Sequence, residues 1–122
     1  MRMKKVFLAI CLLGILLALS GCTTSLKNST VTVENFSGEE ITSVIVETRN
    51  NSVALSSIEN GKAKTAELVN PFGESDIKLN YVLKGEPQEW KGQYIESNGC
   101  YKATLTINQD GSVSSDVSLQ CY

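Results

Sequence analysis

The chain has 122 residues with eleven basic and thirteen acidic side chains, a formal net charge of −2, and no basic stripe of the kind that neutralises nucleic-acid phosphates. It contains no histidine, which removes the commonest general base, the Ser-His and Cys-His nucleophile pairs and the usual zinc sites. Gly-rich phosphate loops are absent as well.

Met1 to Lys5 is basic, Val6 to Leu19 is a fourteen-residue apolar run, and small residues then lead to a cysteine in Leu19-Ser20-Gly21-Cys22. The run has the length of a secretory signal. The polar stretch from Ser20 to Ser25 arrives too early for the roughly 20 apolar residues that a membrane-spanning helix needs. The motif resembles the lipobox of bacterial lipoproteins. That resemblance implies cleavage between Gly21 and Cys22, diacylation of the Cys22 sulfur and acylation of the new amine. It divides the chain into a signal peptide at 1–21, a lipidated N-terminus and tether at 22–28, and a folded domain at 29–122.

Loss of the first 21 residues leaves 101, enough for one small domain, with eight basic residues against thirteen acidic ones and a formal charge of −5. An anionic bilayer weakly repels such a surface, so attachment falls to the acyl chains, two or more of which hold a protein stably. In the sorting rule of enteric-type lipoproteins, Asp after the lipidated cysteine retains the protein in the inner membrane. Thr23 stands in that place, so the resemblance implies the bacterial outer membrane, with the domain facing the periplasm.

From Ser29 onward Val, Ile, Thr and Ser dominate, turn residues recur every eight to twelve positions, and no apolar 3.6-residue period is sustained. Thr30 to Glu34 is the first expected strand, with Val31 and Val33 on one face, ending at the turn Asn35-Phe36-Ser37-Gly38. Ile41 to Arg49 carries apolar residues on both faces, which predicts either a strand covered on both sides or a bulge. After Asn50-Asn51 comes a weaker strand, Ser52 to Ile58. Asn60-Gly61 has hairpin-turn chemistry and predicts a return through Ala63 to Val69.

Asn70-Pro71-Phe72-Gly73 is a turn with an aromatic near its tip. The clearest alternation follows, with Ile77, Leu79, Tyr81 and Leu83 directed to a core and Lys78, Asn80 and Lys84 to water. Lys84-Gly85-Glu86-Pro87 turns the chain into Gln88 to Glu96. There Trp90 and Tyr94 are expected on one face, with Gly92 between them receiving a neighbouring ring or marking a bulge.

The last strands, Cys100 to Ile107 and Ser112 to Cys121, offer two registers. A two-residue loop at Asp110-Gly111 sets Cys100 opposite Cys121 but matches Leu105 with Asp116. A three-residue loop with Gly111 left-handed matches Tyr101 with Leu119, Ala103 with Val117 and Ile107 with Val113, and the apolar pattern favours it. Cys11 leaves with the signal and Cys22 takes lipid, so Cys100 and Cys121 remain as an expected disulfide in an oxidising compartment. Two inert thiols are the alternative. In the favoured register the pair starts on opposite faces, so the bond requires a bulge or a frayed end near Gly99.

About seven short strands without a helix predict an all-β fold, a small antiparallel β-sandwich, immunoglobulin-like or transthyretin-like, with a single sheet or barrel as the alternative. Val31 to Val46 and Gly99 to Val113 resemble small bacterial lipoproteins of unassigned function. The carboxylates Glu74, Asp76, Glu86 and Glu89 read as solvated charges at turns and strand ends, Asp110 lacks a calcium-loop motif, and neither a catalytic set nor a metal or cofactor site is expected. Phe72, Trp90 and Tyr94 are the candidate partner-binding aromatics. The leading expectation is a non-enzymatic, lipid-anchored envelope protein that binds a protein partner or assists assembly. It has no nucleic-acid partner and no small-molecule substrate. A periplasmic inhibitor or immunity-type protein against a toxin or cell-wall hydrolase is the alternative.

Overall fold

The computed structural model describes residues 28–69, 74–96 and 100–119. Eight strands follow one another: β1 Ser29–Asn35, β2 Ile41–Thr48, β3 Asn51–Ile58, β4 Ala63–Leu68, β5 Ser75–Leu83, β6 Glu86–Ile95, β7 Tyr101–Ile107 and β8 Val113–Leu119. They form two four-stranded sheets, in the orders β4-β1-β7-β8 and β3-β2-β5-β6. The fold is thus an all-β sandwich with one strand more than the seven expected, and neither a single sheet nor a barrel. β1 and β2 lie in different sheets, whereas the immunoglobulin order places the first two strands side by side. Of the two outlines expected, the four-plus-four order keeps the transthyretin-like one. Every pairing is antiparallel except β1 with β7, which run parallel.

The first sheet alternates without interruption. Val31 and Val33 of β1, Ala66 and Leu68 of β4, and Ala103, Leu105 and Ile107 of β7 all point into the sandwich and are buried. The β7–β8 register pairs Tyr101 with Leu119, Ala103 with Val117 and Ile107 with Val113, around a three-residue loop in which Gly111 has φ +88°. That is the register the apolar pattern favours.

In the second sheet the apolar spacing slips from two to three at three places, and each slip coincides with a non-glycine residue at positive φ. Ser43 lies between buried Ile41 and Val44, Ser56 between Leu55 and buried Ile58, and Gln93 between Gly92 and buried Ile95. Each absorbs the extra residue of a β-bulge, so the next apolar side chain still reaches the core. Of the two readings open for Ile41 to Arg49, the bulge is therefore the one realised, with register shifts between Ile41 and Val44 and then between Val44 and Ile45. β5 is regular, burying Ile77, Leu79 and Tyr81. It turns into β6 through Lys84 and Gly85 alone, both at positive φ, a tighter reversal than the four-residue turn expected.

Asn60-Gly61 corrects a second expectation. β4 follows it as predicted but does not return along β3; β3 pairs with β2 in one sheet and β4 with β1 in the other. The Asn-Gly chemistry still makes a tight reversal, with Lys62 N donating to Glu59 O at 3.1 Å. The chain is carried across the sandwich because main-chain bonds between Asn35 and the exit of the turn hold it against β1: Gly61 N donates to Asn35 O at 2.7 Å and Asn35 N to Lys62 O at 2.9 Å.

The side chain of Asn35 is fully buried, and it joins three segments at this end of the molecule. Its Nδ2 donates to Glu39 O at 2.7 Å and to Ile58 O at 2.9 Å, and its Oδ1 accepts from Ser37 N at 3.0 Å and Ser37 Oγ at 2.7 Å. A buried amide with all these partners is stabilising, and one deprived of them is costly. Asn35→Ala leaves the Ile58 carbonyl and the Ser37 N–H short of a partner, while Ser37 Oγ still donates to Glu39 O at 3.0 Å, and should lower stability by about 2 kcal/mol. Urea denaturation measures this, and a loss below about 1 kcal/mol would contradict the role assigned to the amide.

Candidate functional site

The sequence-predicted site residues do not come together as one surface. Gly21, Cys22, Phe72 and Cys121 lie outside the described residues. Cys100 is buried just before β7. Trp90 packs against the core from β6, and its indole lies over Gly92, where a Cβ would fall 2.6 Å from Trp90 Cζ2. Gly92 thus receives the ring while the adjacent Gln93 forms the bulge, so both readings of that glycine hold.

The bulge separates Trp90 from Tyr94. Without it the two would share a face; with Gln93 inserted, Ile95 takes the inward position and Tyr94 turns to solvent, 59% exposed. The expected shared face is therefore corrected. Tyr94 Oη donates to Glu74 Oε2 at 2.9 Å, and that hydrogen bond to a carboxylate raises the phenol pKa, helped by the negative charges of Glu74, Glu96 and Asp76. A tyrosine pKa raised in the fold means that the interaction is intact below pH 10 and disappears as pH rises through the shifted value.

Other carboxylates are engaged in structure. Lys91 Nζ lies 3.5 Å from Asp76 Oδ2, and Lys78 Nζ lies 3.5 Å from Glu89 Oε1, both across the β5–β6 pair. Asp110 accepts from Ser112 Oγ at 2.6 Å and Ser112 N at 3.0 Å, and these bonds hold its carboxyl below the usual range. Among the described residues no three His, Cys, Asp or Glu side chains are grouped to hold a metal. The depressions are charged and open, one of about 220 Å³ beside Arg49, Asp76, Lys78 and Lys91 and another of about 310 Å³ beside Glu40, Glu59, Lys62 and Lys64.

One exposed aromatic is a residue that sequence reasoning treated only as part of a turn. Phe36 is 51% exposed, although the turn carrying it is tied down on every side. Phe36 N donates to Ile107 O at 2.9 Å, Gly38 N donates to Asn60 Oδ1 at 2.9 Å, and Asn35 and Ser37 hold the turn from within. Exposed Glu39, Glu40 and Glu59 flank it, with exposed Lys62 beside Glu40 and Glu59. The signal was present in Asn35-Phe36-Ser37-Gly38: a large aromatic among residues that otherwise serve only to turn the chain has no local reason to be there. A rigid aromatic with a charged rim has the form of an interface anchor.

Strand direction places the molecule's two ends. β1, β3, β5 and β7 finish at the end bearing Phe36, whereas β1 begins, and β4, β6 and β8 finish, at the opposite end. Val69, Tyr94 and Leu119, 62%, 59% and 56% exposed, all lie at that opposite end.

Architecturally the domain is a small eight-stranded β-sandwich. No family model and no curated protein matches the sequence. Among solved structures it is similar to an NMR structure of a protein from Eubacterium rectale, with a TM-score of 0.54 and 7% identity over 77% of this chain and 91% of that one. At that identity the likeness concerns the fold.

Two outcomes test this geometry. Gly92→Ala must displace the indole, so the fluorescence of Trp90, the only tryptophan, should shift to longer wavelength with a stability loss of about 1–3 kcal/mol. An unchanged spectrum would refute the ring-on-glycine packing. In a spectrophotometric titration, Tyr81, through burial, and Tyr94, through its carboxylate partner, should both ionise above the ordinary value, and Tyr94 alone should move back towards it in Glu74→Gln; an unaltered curve would show that the carboxylate is not the cause.

Proposed function

We propose that this chain is a bacterial envelope lipoprotein, anchored by acyl chains on Cys22, whose sandwich binds a protein partner without catalysis. The observation carrying the reading is the order of the N-terminal features: a basic segment, an apolar run, Leu19-Ser20-Gly21-Cys22, and then β1 only seven residues beyond the cysteine, at Ser29. The absence of histidine and the engagement of the charged groups in turns and ion pairs favour recognition over turnover.

Phe36 is the contact we assign to the partner. Its mixed-charge rim favours a protein surface with an apolar socket and a polar border, and a rigid turn loses little entropy on binding. We also assign a disulfide between Cys100 and Cys121. Cys100 is not a free thiol, and the β7–β8 register ends on Tyr101 with Leu119, so one residue of slip beyond it aligns the two cysteines. Closing that loop stabilises the fold by about 3 kcal/mol.

Cys22→Ala should abolish incorporation of labelled fatty acid and release the protein from the outer-membrane fraction; label retained, or none in the wild type, would overturn the reading. Phe36→Ala should leave folding stability within about 0.5 kcal/mol of wild type yet lose the partner that crosslinks to the wild type in intact envelopes. A partner crosslinked equally by both chains would remove Phe36 from the interface. A toxin or cell-wall hydrolase recovered there would give the binding role an inhibitory purpose.

A further inference from the structure

We infer that the end of the sandwich opposite Phe36 rests on the lipid surface, with Val69, Tyr94 and Leu119 seated at the headgroup boundary so that the domain stands on end. The inference rests on the lipoprotein reading and specifies how the anchored domain is held. Among the described residues, three of the four large, exposed apolar side chains share this end, and the fourth, Phe36, is at the other. Val69 follows β4, Leu119 closes β8 and Tyr94 is next to last in β6, so they come from both sheets and from opposite edges of the sandwich. Such a spread forms a base, whereas a groove for one peptide would gather them on one side.

The length of chain between lipid and fold selects the occupant. Six residues, 23–28, separate Cys22 from β1, and even fully extended they span only about 20 Å. Asn28 fixes where that segment ends, because its Nδ2 donates to Glu67 Oε1 at 2.7 Å beside the end of β4. The Phe36 end is a further strand length of about 20 Å away, so to bring it to the bilayer the whole tether would have to double back along β1.

Charge at this end is compatible with a bilayer dominated by zwitterionic headgroups. Glu67, Glu74, Asp76 and Glu96 stand there against Arg49 and Lys91; Lys91 pairs with Asp76, and the hydrogen bonds from Asn28 and Tyr94 orient Glu67 and Glu74 but leave them charged, so a zwitterionic surface suits this end better than an anionic one. Tyr94 presents a ring and a hydrogen-bonded hydroxyl together, the combination that suits a surface apolar on one side and wet on the other. Leu119 pairs with Tyr101, whose hydroxyl accepts from Glu96 N at 3.3 Å, so the β8 and β6 contributions are joined across the end of the sandwich.

The test uses the full, lipidated chain in vesicles of phosphatidylethanolamine with a minor share of phosphatidylglycerol, carrying photoreactive benzoylphenylalanine at position 69, 94, 119 or 36. Crosslinking to phospholipid from 69, 94 and 119 should exceed that from 36 about tenfold, because apolar groups seated at the boundary enter by only a few ångströms. In the unsubstituted chain, amide exchange at Val69, Tyr94 and Leu119 should be slower on vesicles than in soluble Cys22→Ala, with no change from Phe36 to Gly38. Equal crosslinking from all four positions, or unchanged exchange at the base, with fatty acid present on Cys22, would overturn the end-on seating and leave the lipoprotein reading intact. Absence of fatty acid on Cys22 would overturn both.

Discussion

The structure depends most on the amide of Asn35. It sits where β1 leaves its sheet, and its two side-chain atoms and two main-chain groups reach the β1–β2 turn, the last residue of β3 and the exit of the β3–β4 reversal. One residue therefore joins the two sheets at one end. Hydrophobic burial holds the layers together but does not fix their relative register, because apolar contact is not directional. A buried amide with fixed partners supplies that direction, at the cost of being intolerant to replacement.

The two sheets solve the same packing problem differently. The β4-β1-β7-β8 sheet keeps a strict period of two. The β3-β2-β5-β6 sheet interrupts it with Ser43, Ser56 and Gln93. The bulges in β2 and β3 face one another and cancel: Ile41 opposes Ile58 and Ile45 opposes Ala54, in the same register on either side. The bulge in β6 is not cancelled, and it turns Tyr94 outward at an edge strand. Local twist at an edge also discourages pairing with another chain, as do Pro87 and the charged Glu86, Glu89 and Lys91 along the same strand.

What could be read from the sequence follows this division. Where alternation was regular, as in β5 and the β7–β8 hairpin, the side facing the core and even the residue pairing were legible, because a one-residue slip would have exposed every apolar side chain. Where a bulge intervened, the pattern showed that something was displaced but not where; Trp90 and Tyr94 were separated by Gln93, whose side chain gives no hint of positive φ. The destination of β4 was not legible at all. Asn60-Gly61 encodes a reversal, and only the bonds from Asn35, distant in sequence, decide which sheet receives the strand. Phe36 is legible as an aromatic out of place in a turn, but its fixed presentation comes from tertiary contacts to Ile107 and Asn60.

The parallel pairing of β1 with β7 bears on the order of events during folding. Tyr101 N bonds Ser29 Oγ and Thr106 Oγ1 bonds Glu34 Oε2, contacts that each span 72 residues. Closing so long a loop is entropically late, and topologies rich in distant contacts fold slowly. A chain emerging N-terminus first thus has β1 in hand from the outset, with β4 as its single available neighbour, and cannot complete the first sheet until β7 has followed. The domain stays open until nearly all of it has arrived, then closes on its first strand.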